Sequence, residues 1–361
     1  MVRVLGKGGA RKHALFGGFR KAKRVSVGLD VGSSSIKLVA LVRESGNRSY
    51  RLLKYGVRRI PAVSGEPTKQ NTSNLIRELF AETKIDCKDV IAAVPGTSAV
   101  VRYIQMPKMT LQEARNALRY EASQYIPFRA EEARMDYHIL NGALGQADDM
   151  MKMMLVATRT SEAERRLEVL KAAGLSPLVL DVDSLALLNA FETTGIPGET
   201  PGSIALIHLG SRQTHLSVVQ DGCPAFTRDM EAGGETLTEA ISRGLGLSLA
   251  EAEAVKVSGD AIIRPHLESP LRSLAGQLRS SLDYYQGKSG NGGSKVYLSG
   301  GTSLLKPLGQ FLSESLGIPA EKWNPFQGID TSDFVEDSNL RHIGPVLAVA
   351  VGLAIRKSTL S

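Results

Sequence analysis

Apolar residues fall into short runs from residue 25 onward, and glycine, serine and proline separate the runs. Residues 25–32, 35–43 and 50–60 have the length and composition of strands, and tight turns join them, so they predict an antiparallel meander. Residues 71–84 then place apolar side chains at helical spacing. A short buried strand is predicted at residues 90–94, closed by a proline and a glycine.

A different mixture of patterns over residues 98–185 predicts a separate small α/β unit. Thr110 and Ser161 each precede a segment of helical spacing, so we expect them to be N-caps. The predicted strands of this unit are residues 99–105, 134–140, 152–158 and 178–182, and its helices are residues 110–125 and 161–173.

The pattern of the first segment restarts after residue 202. The strands predicted there are residues 204–209, 214–219, 225–229 and 295–298, and the helices are residues 234–245, 249–257, 268–287, 303–316 and 342–356. Asp-Val-Gly-Ser at 30–33 has a counterpart in His-Leu-Gly-Ser at 208–211. This echo predicts two similar halves whose first hairpins face each other across a cleft. The last helix is apolar all round and should be buried.

The net charge of +7 comes from the beginning of the chain. Residues 1–24 hold eight Lys or Arg and no acidic residue; the rest has 36 of the 44 basic residues against 37 acidic ones. We expect a disordered basic leader, with contact to anionic lipid as the alternative and no specific nucleic-acid binding. Two cysteines, Cys87 and Cys223, indicate reduced thiols, and we find no apolar run long enough to span a membrane.

The turn after the first predicted strand, residues 30–37, is the strongest candidate for a binding site. Its strand delivers an aspartate to the edge of the cleft, and its glycine lets the backbone approach a phosphate closely. Three serines offer hydroxyl and N–H donors to anionic oxygens, and a lysine adds positive charge. An ordinary hairpin turn is the alternative. The candidate residues are Asp30, Gly32, Ser33, Ser34, Ser35 and Lys37, with Asp30 also a magnesium ligand through water.

The order of glycine-containing turns resembles the actin, Hsp70 and sugar-kinase superfamily, and within it the PilM family of type IV pilus assembly proteins. The resemblance covers roughly residues 25–357. The segments that carry it are residues 28–37, 94–96, 121–128, 136–137, 172–181, 210–211, 233–235, 280–285, 298–301 and 323–326.

This resemblance implies an α/β, actin-like (ribonuclease H-like, duplicated) two-lobed fold that binds ATP or ADP with Mg. It also implies a cytoplasmic protein, peripheral at the inner membrane, that binds the N-terminal cytoplasmic segment of a PilN-like membrane protein in a groove beside an inserted subdomain. Other pilus platform or motor components are further expected partners. The expected divisions are a leader (1–24), a first lobe (25–97), the inserted subdomain (98–185), a second lobe (186–340) and a helix returning to the first lobe (341–361).

Further nucleotide-binding residues follow from the same resemblance. A pair of glycines opens a helix whose N–H groups can face phosphate, and an acid beside them fits a ribose hydroxyl or simply favours the helix start. The resemblance places Lys256 near the nucleoside, and a surface lysine is the alternative. It places the turn at 300–302 against adenine, and a helix N-cap is the alternative. These residues are Gly210, Ser211, Gly233, Gly234, Glu235, Lys256, Gly300, Gly301 and Thr302.

His208 stands where members of the family usually have aspartate. A neutral imidazole is a poor ligand for magnesium, so we expect nucleotide binding with weak or absent hydrolysis. His208 is expected to donate to a phosphate or to fill space, and His138 and His215, without partners in the sequence, to be structural or surface residues. Two alternatives remain open: a small-molecule kinase of the superfamily, which lacks an evident general base here, and a membrane-associated filament protein similar to FtsA.

Overall fold

The computed structural model describes residues 25–43, 49–61, 68–140, 149–194, 202–290 and 292–356. The predictions for residues 1–24 and 357–361 lie outside these ranges. The strands are β1 (Val25–Val31), β2 (Ser35–Arg43), β3 (Tyr50–Arg59), β4 (Asp89–Val94), β5 (Ala99–Pro107), β6 (Ala133–Ile139), β7 (Met150–Arg159), β8 (Ser176–Val182), β9 (Ser203–Leu209), β10 (Thr214–Gln220), β11 (Cys223–Met230), β12 (Gly293–Ser299), β13 (Ala320–Lys322) and β14 (Ile329–Asp330). The helices are α1 (Lys69–Thr83), α2 (Leu111–Tyr125), α3 (Thr160–Ala172), α4 (Asp183–Thr194), α5 (Gly234–Leu245), α6 (Leu249–Ser258), α7 (Arg264–Ser289), α8 (Leu308–Leu316), α9 (Ser338–Ile343) and α10 (Ala348–Ile355).

Six strands form the sheet of the first lobe, in the order β14-β3-β2-β1-β4-β8. β1, β2 and β3 form the antiparallel meander that the apolar runs predict, and β4 and β8 continue the sheet in parallel. Helix α10 packs on β1, and every one of its residues is buried, as predicted. This packing depends on Gly28, because a Cβ there would lie 2.1 Å from the carbonyl oxygen of Ala350.

Five strands form the sheet of the second lobe, in the order β11-β10-β9-β12-β13. Strands β9, β10 and β11 pair antiparallel, and β12 joins β9 in parallel. The first lobe has the same arrangement in β3-β2-β1-β4, so the two halves repeat one topology, as the sequence echo predicts. The lobe has its own apolar core, to which α5, α7 and α8 contribute.

A third sheet, in the order β5-β7-β6, shares no strand pairing with the other two. Helix α2 packs on it through Ala114, Leu118 and Ala122, all buried in a separate core. Thr110 caps this helix as predicted, accepting from the backbone N–H of Glu113 while the Glu113 side chain accepts from the N–H of Thr110. An α/β unit with its own core therefore lies between β4 and α3.

The pairing of the strands departs from the expected divisions of the chain. β8, expected in the inserted unit, pairs with β4 in the first sheet, and α3 packs against α1 and β8. β14, expected in the second lobe, pairs with β3. An apolar run predicts a strand but does not say which strand it joins, and this explains both departures.

Two helix boundaries and one cap also differ from the prediction. The segment 303–316 is a short 3-10 turn followed by α8, and the segment 342–356 is divided by a second 3-10 turn into α9 and α10. Pro307 and Pro345 lie at these breaks, since proline lacks the N–H that a helix interior needs. Arg159, not Ser161, is the residue before α3, and its side chain makes no capping hydrogen bond.

One stretch of the described chain is long and apolar enough to cross a membrane, Ser338–Ile355, contrary to the expectation that the chain holds no such run. Of this stretch, 67% is buried inside the protein. The apolar surface of α10 faces β1 and α4, so core packing accounts for the composition of this stretch.

Candidate functional site

The turn between β1 and β2 brings Asp30 and Lys37 together. They are direct partners in the strand register, and Lys37 Nζ lies 3.0 Å from Asp30 Oδ2 with each side chain 12% exposed. The backbone N–H of Gly32 donates to the Ser35 carbonyl at 3.1 Å, which closes the turn. A Cβ at Gly32 would lie 2.8 Å from Lys37 Nζ. Ser33 and Ser34 point outward and are exposed. The turn thus offers exposed hydroxyls beside a largely buried ion pair.

The equivalent turn between β9 and β10 is closed by Gly210, whose N–H donates to the Gln213 carbonyl at 2.9 Å. The carbonyls of this turn accept from the start of α5: Gly234 donates to Gly210 at 3.0 Å and Glu235 donates to Ser211 at 2.7 Å. These two N–H groups, expected to face phosphate, are therefore used inside the protein.

Lys256 of α6 reaches the same corner of the second lobe. Its Nζ donates to the Gly234 carbonyl at 2.9 Å and to Thr238 Oγ1 at 2.6 Å, and it pairs with Glu253 at 2.6 Å. With an 11% exposed side chain it is not a solvated lysine. Glu235, by contrast, lies at the surface and pairs with Arg212 at 2.8 Å, a residue that sequence reasoning missed.

Gly300 directly follows β12 and lies against Leu209 at the end of β9. Its φ is +86°, and a Cβ would lie 2.3 Å from the Leu209 carbonyl oxygen, so a side chain is excluded here. Gly301 has open space around it. Thr302 does not cap a helix; its hydroxyl donates to the Gly210 carbonyl at 2.8 Å. The third glycine turn thus lies directly against the second.

His208 is buried and occupies the end of β9 nearest the first lobe. Its Nδ1 lies 3.0 Å from Ser299 Oγ, a partner that the sequence did not suggest. Burial, followed by the positive charges of His215 and Lys37, holds the pKa of His208 well below its ordinary value. A lowered pKa favours the neutral form of the ring.

His215 has two carboxylate partners, so the expectation that it lacks a constellation was wrong. Its Nδ1 bonds Asp229 Oδ1, and its Nε2 lies 3.3 Å from Asp183 Oδ2. Its ring stacks on His208, with centroids 5.9 Å apart. Burial alone would lower the pKa of His215, but Asp183 and Asp229 outweigh it and raise the pKa well above its ordinary value. The direct pairing of His215 with Asp229 in a β-hairpin was the signal available from sequence.

Contacts beside this cluster join the second lobe to the beginning of β5. Gln213 Nε2 donates to Thr97 Oγ1 at 2.6 Å, and a Cβ at Gly96 would lie 2.8 Å from the Asp229 carboxylate. Tyr103 of β5 hydrogen bonds Thr227 of β11 at 3.1 Å, and burial raises the Tyr103 pKa to about 12. The cleft therefore has three walls: both lobes and the base of the inserted sheet.

The residues that the structure describes include no group of three or more His, Cys, Asp or Glu side chains arranged to hold a metal ion. Magnesium commonly takes only one or two protein carboxylates and completes its shell with water and phosphate oxygens. Asp30, buried near the end of β1 and paired with Lys37, is a single carboxylate of the kind that such an ion takes.

Comparison with known proteins agrees with this architecture. The family model for type IV pilus assembly protein PilM matches residues 28–358. A chain of a PilM-PilN type IV pilus biogenesis complex is 31% identical with a TM-score of 0.81, and the match covers 92% of this chain and 98% of that one. The predicted actin-like, two-lobed fold is thereby confirmed.

More distant likenesses concern the fold alone or part of a relative. The ethanolamine utilization protein EutJ of Carboxydothermus hydrogenoformans is 17% identical with a TM-score of 0.58, covering 92% of this chain and 89% of that one. Cell division protein FtsA of Enterococcus faecalis is 27% identical over 65% of this chain, and the match covers 58% of FtsA, less than two thirds of its length. The match to the PilM model over nearly all of the described residues places the chain in the PilM family of type IV pilus assembly proteins.

Proposed function

We propose that this protein is a nucleotide-binding scaffold of type IV pilus assembly, cytoplasmic and held at the inner membrane by a partner similar to PilN. The observation that carries the proposal is the 31% identity and TM-score of 0.81 to a chain of the PilM-PilN complex over nearly the whole fold. The N-terminal segment of the partner would bind beside the inserted sheet. Other platform or motor proteins of the pilus are further candidate partners.

The nucleotide, ATP or ADP, would lie between the turns at 30–37 and 208–211. Lys37 and the exposed serines of the first turn are suited to phosphate oxygens, and Asp30 to magnesium through water. In the second lobe, Gly233, Gly234 and Lys256 shape the wall that would meet the nucleoside, with Glu235 at its rim. Gly300, Gly301 and Thr302 complete that wall against the second turn.

We propose further that the nucleotide is held and hydrolysed slowly, if at all. His208 lies at the end of β9, where the resemblance to the family implies a carboxylate, and its ring, with a lowered pKa, bonds Ser299. Magnesium prefers oxygen ligands, so this imidazole adds nothing to the placement of the ion. The proposed function therefore requires the site only to bind phosphate. Lys37 and the exposed serines of the first turn are the donors for this binding.

Calorimetric titration with ATP or ADP, with and without magnesium, tests the nucleotide site. Lys37→Ala should weaken binding by about tenfold to 100-fold, the usual effect of losing a charged hydrogen bond. Lys54→Ala, an exposed lysine on β3 of the same sheet, is the control and should bind as the wild type does. A wild-type protein that binds neither nucleotide would refute this half of the proposal.

A second titration tests the scaffold role. A peptide with the sequence of a PilN-like cytoplasmic N-terminus should bind the purified protein, and a scrambled peptide of the same composition should not. Equal binding of the two peptides would count against a specific partner site. Release of phosphate at many turnovers per minute would instead favour an enzyme.

A further inference from the structure

The two carboxylates around His215 belong to different lobes. Asp183 begins α4, directly after β8 of the first sheet, whereas His215 and Asp229 lie on β10 and β11 of the second sheet. The distance from His215 Nε2 to Asp183 Oδ2 is 3.3 Å, and both side chains are largely buried. We call these three residues the His215 clasp. The clasp is a buried ionic contact across the cleft.

The clasp also reaches the base of the inserted sheet. The Asp229 carboxylate lies so close to the backbone of Gly96 that a Cβ there would lie 2.8 Å from it. Gly96 begins the short turn that leads into β5. A movement of Asp229 would therefore change contacts in both lobes and in the segment that connects to the inserted sheet.

We propose that His215 is a positioning residue of the cleft: it ties α4 of the first lobe to β10 and β11 of the second, and nucleotide affinity depends on this tie. The inference deepens the proposed function and rests on it for the effect on affinity. Its physical basis is that a buried imidazolium between two carboxylates satisfies both, whereas a neutral ring leaves two buried negative charges facing each other.

The groups that face the clasp are two carboxylates and a second histidine, with two cations farther away. The carboxylates of Asp183 from α4 and Asp229 from β11 contact the ring directly, and neutral His208 from β9 stacks on it. The positive charge of Lys37 from β2 acts on His208, and the carboxylates of Asp30 and Asp183 act on the buried guanidinium of Arg166 from α3.

The clasp gives the cleft a definite pH dependence. Asp183 and Asp229 raise the folded-state pKa of His215 above the ordinary value of 6.5. The contribution of the clasp to stability is therefore complete below that ordinary value and is lost as the pH rises through the folded-state pKa. As the pH rises through the folded-state pKa of His215, the two lobes should separate and the affinity for nucleotide should fall.

Inter-lobe distance provides a test that needs no nucleotide. Spin labels at cysteines replacing exposed Lys54 and Lys322, in a Cys87→Ser and Cys223→Ser background, report the separation of the two sheets. The wild type should show one narrow distance at pH about 6 and a broader, longer distribution above the pH at which nuclear magnetic resonance shows His215 to lose its proton. His215→Gln should show the broad distribution at both pH values.

His138→Gln is the matched control, because His138 is a half-buried histidine of β6 whose pKa burial lowers. It should leave the distances and their pH dependence as in the wild type. Nuclear magnetic resonance of the wild-type histidines provides a measurement independent of any variant, and His215 should titrate well above the ordinary histidine value. Titration at or below that value, or unchanged distances in His215→Gln, would overturn the inference.

Nucleotide affinity is measured last. His215→Gln should bind ATP about tenfold or more weakly at pH about 6, within the range that coupling between sites usually spans. If the wild type binds no nucleotide but its distances respond to pH as described, the proposed function fails and the clasp stands. If the wild type binds nucleotide and His215→Gln binds equally tightly, the link between clasp and affinity is refuted.

Discussion

Single residues fix the second wall of the cleft, and Gly234 is the clearest case. Its carbonyl accepts from Lys256, its N–H donates to Gly210, and its missing side chain leaves room for Thr302. Thr302 in turn donates to Gly210. Four residues from four separate segments therefore meet around one position that tolerates no Cβ.

Gly234→Ala should accordingly destabilise the protein. The added Cβ would lie 2.5 Å from Thr302 Oγ1 and 3.3 Å from Lys256 Nζ. We expect a loss of about 1–3 kcal/mol in the free energy of unfolding, as for other overpacked sites. Urea denaturation measures it. Gly301→Ala is the control, because nothing lies within 4 Å of a Cβ there, and a comparable loss in that variant would contradict the explanation.

Among the elements, α10 packs with glycine facing the main chain of a neighbour on two sides. It packs between β1 and α4. Gly28 of β1 leaves room for the helix on one side, and Gly352 of the helix leaves room for α4 on the other. The helix is short and wholly apolar, so its helical conformation depends on this packing more than on intrinsic propensity. Its position links the end of the described chain to the strand that carries Asp30.

Gly352→Ala should separate α10 from α4. A Cβ at this position would lie 1.8 Å from the Ala186 carbonyl oxygen, a backbone atom that cannot move alone. We expect a loss of about 3 kcal/mol or more, at the upper end for overpacking. Gly276→Ala, in an open position of α7, should instead stabilise by about 0.5–1 kcal/mol. Thermal denaturation of both variants gives the comparison, and similar melting temperatures would exclude the proposed clash.

For the whole molecule, one buried ion pair anchors the end of the described chain. Arg356, directly after α10, bonds the carboxylate of Asp181 on β8, and their side chains are 3% and 0% exposed. The pair holds the C-terminal helix to the first-lobe sheet at the strand that follows the inserted unit. A buried charge that loses its partner is far more costly than the pair itself.

A double-mutant cycle should show this asymmetry. Asp181→Asn and Arg356→Met should each cost about 3–5 kcal/mol, because each removes the direct ionic partner of a buried charged side chain. The double variant should be less destabilised than the sum of the two, since it removes both members of the pair. Chemical denaturation of the four proteins measures the coupling. Strictly additive losses would mean that the two residues act independently.

The sequence predicted best what depends on neighbouring residues. The meander from 25 to 60, the Thr110 cap and the turn at 30–37 follow from apolar periodicity and turn residues, and the structure has them within a residue or two. The pairing of β8 and β14 with the first sheet was not predictable, because partner choice depends on the whole fold. The His215 clasp was missed for the same reason: Asp183 reaches it only through tertiary structure.

The inserted sheet has one more consequence for how this fold can vary. Ala99 at its entrance and Thr158 at its exit are register partners, and Thr158 donates to the Ser98 carbonyl at 2.6 Å. Entry and exit are therefore about 5 Å apart, the spacing of paired antiparallel residues. Because its two points of attachment are adjacent, a change in the length of the inserted unit need not change the path of the chain through either lobe.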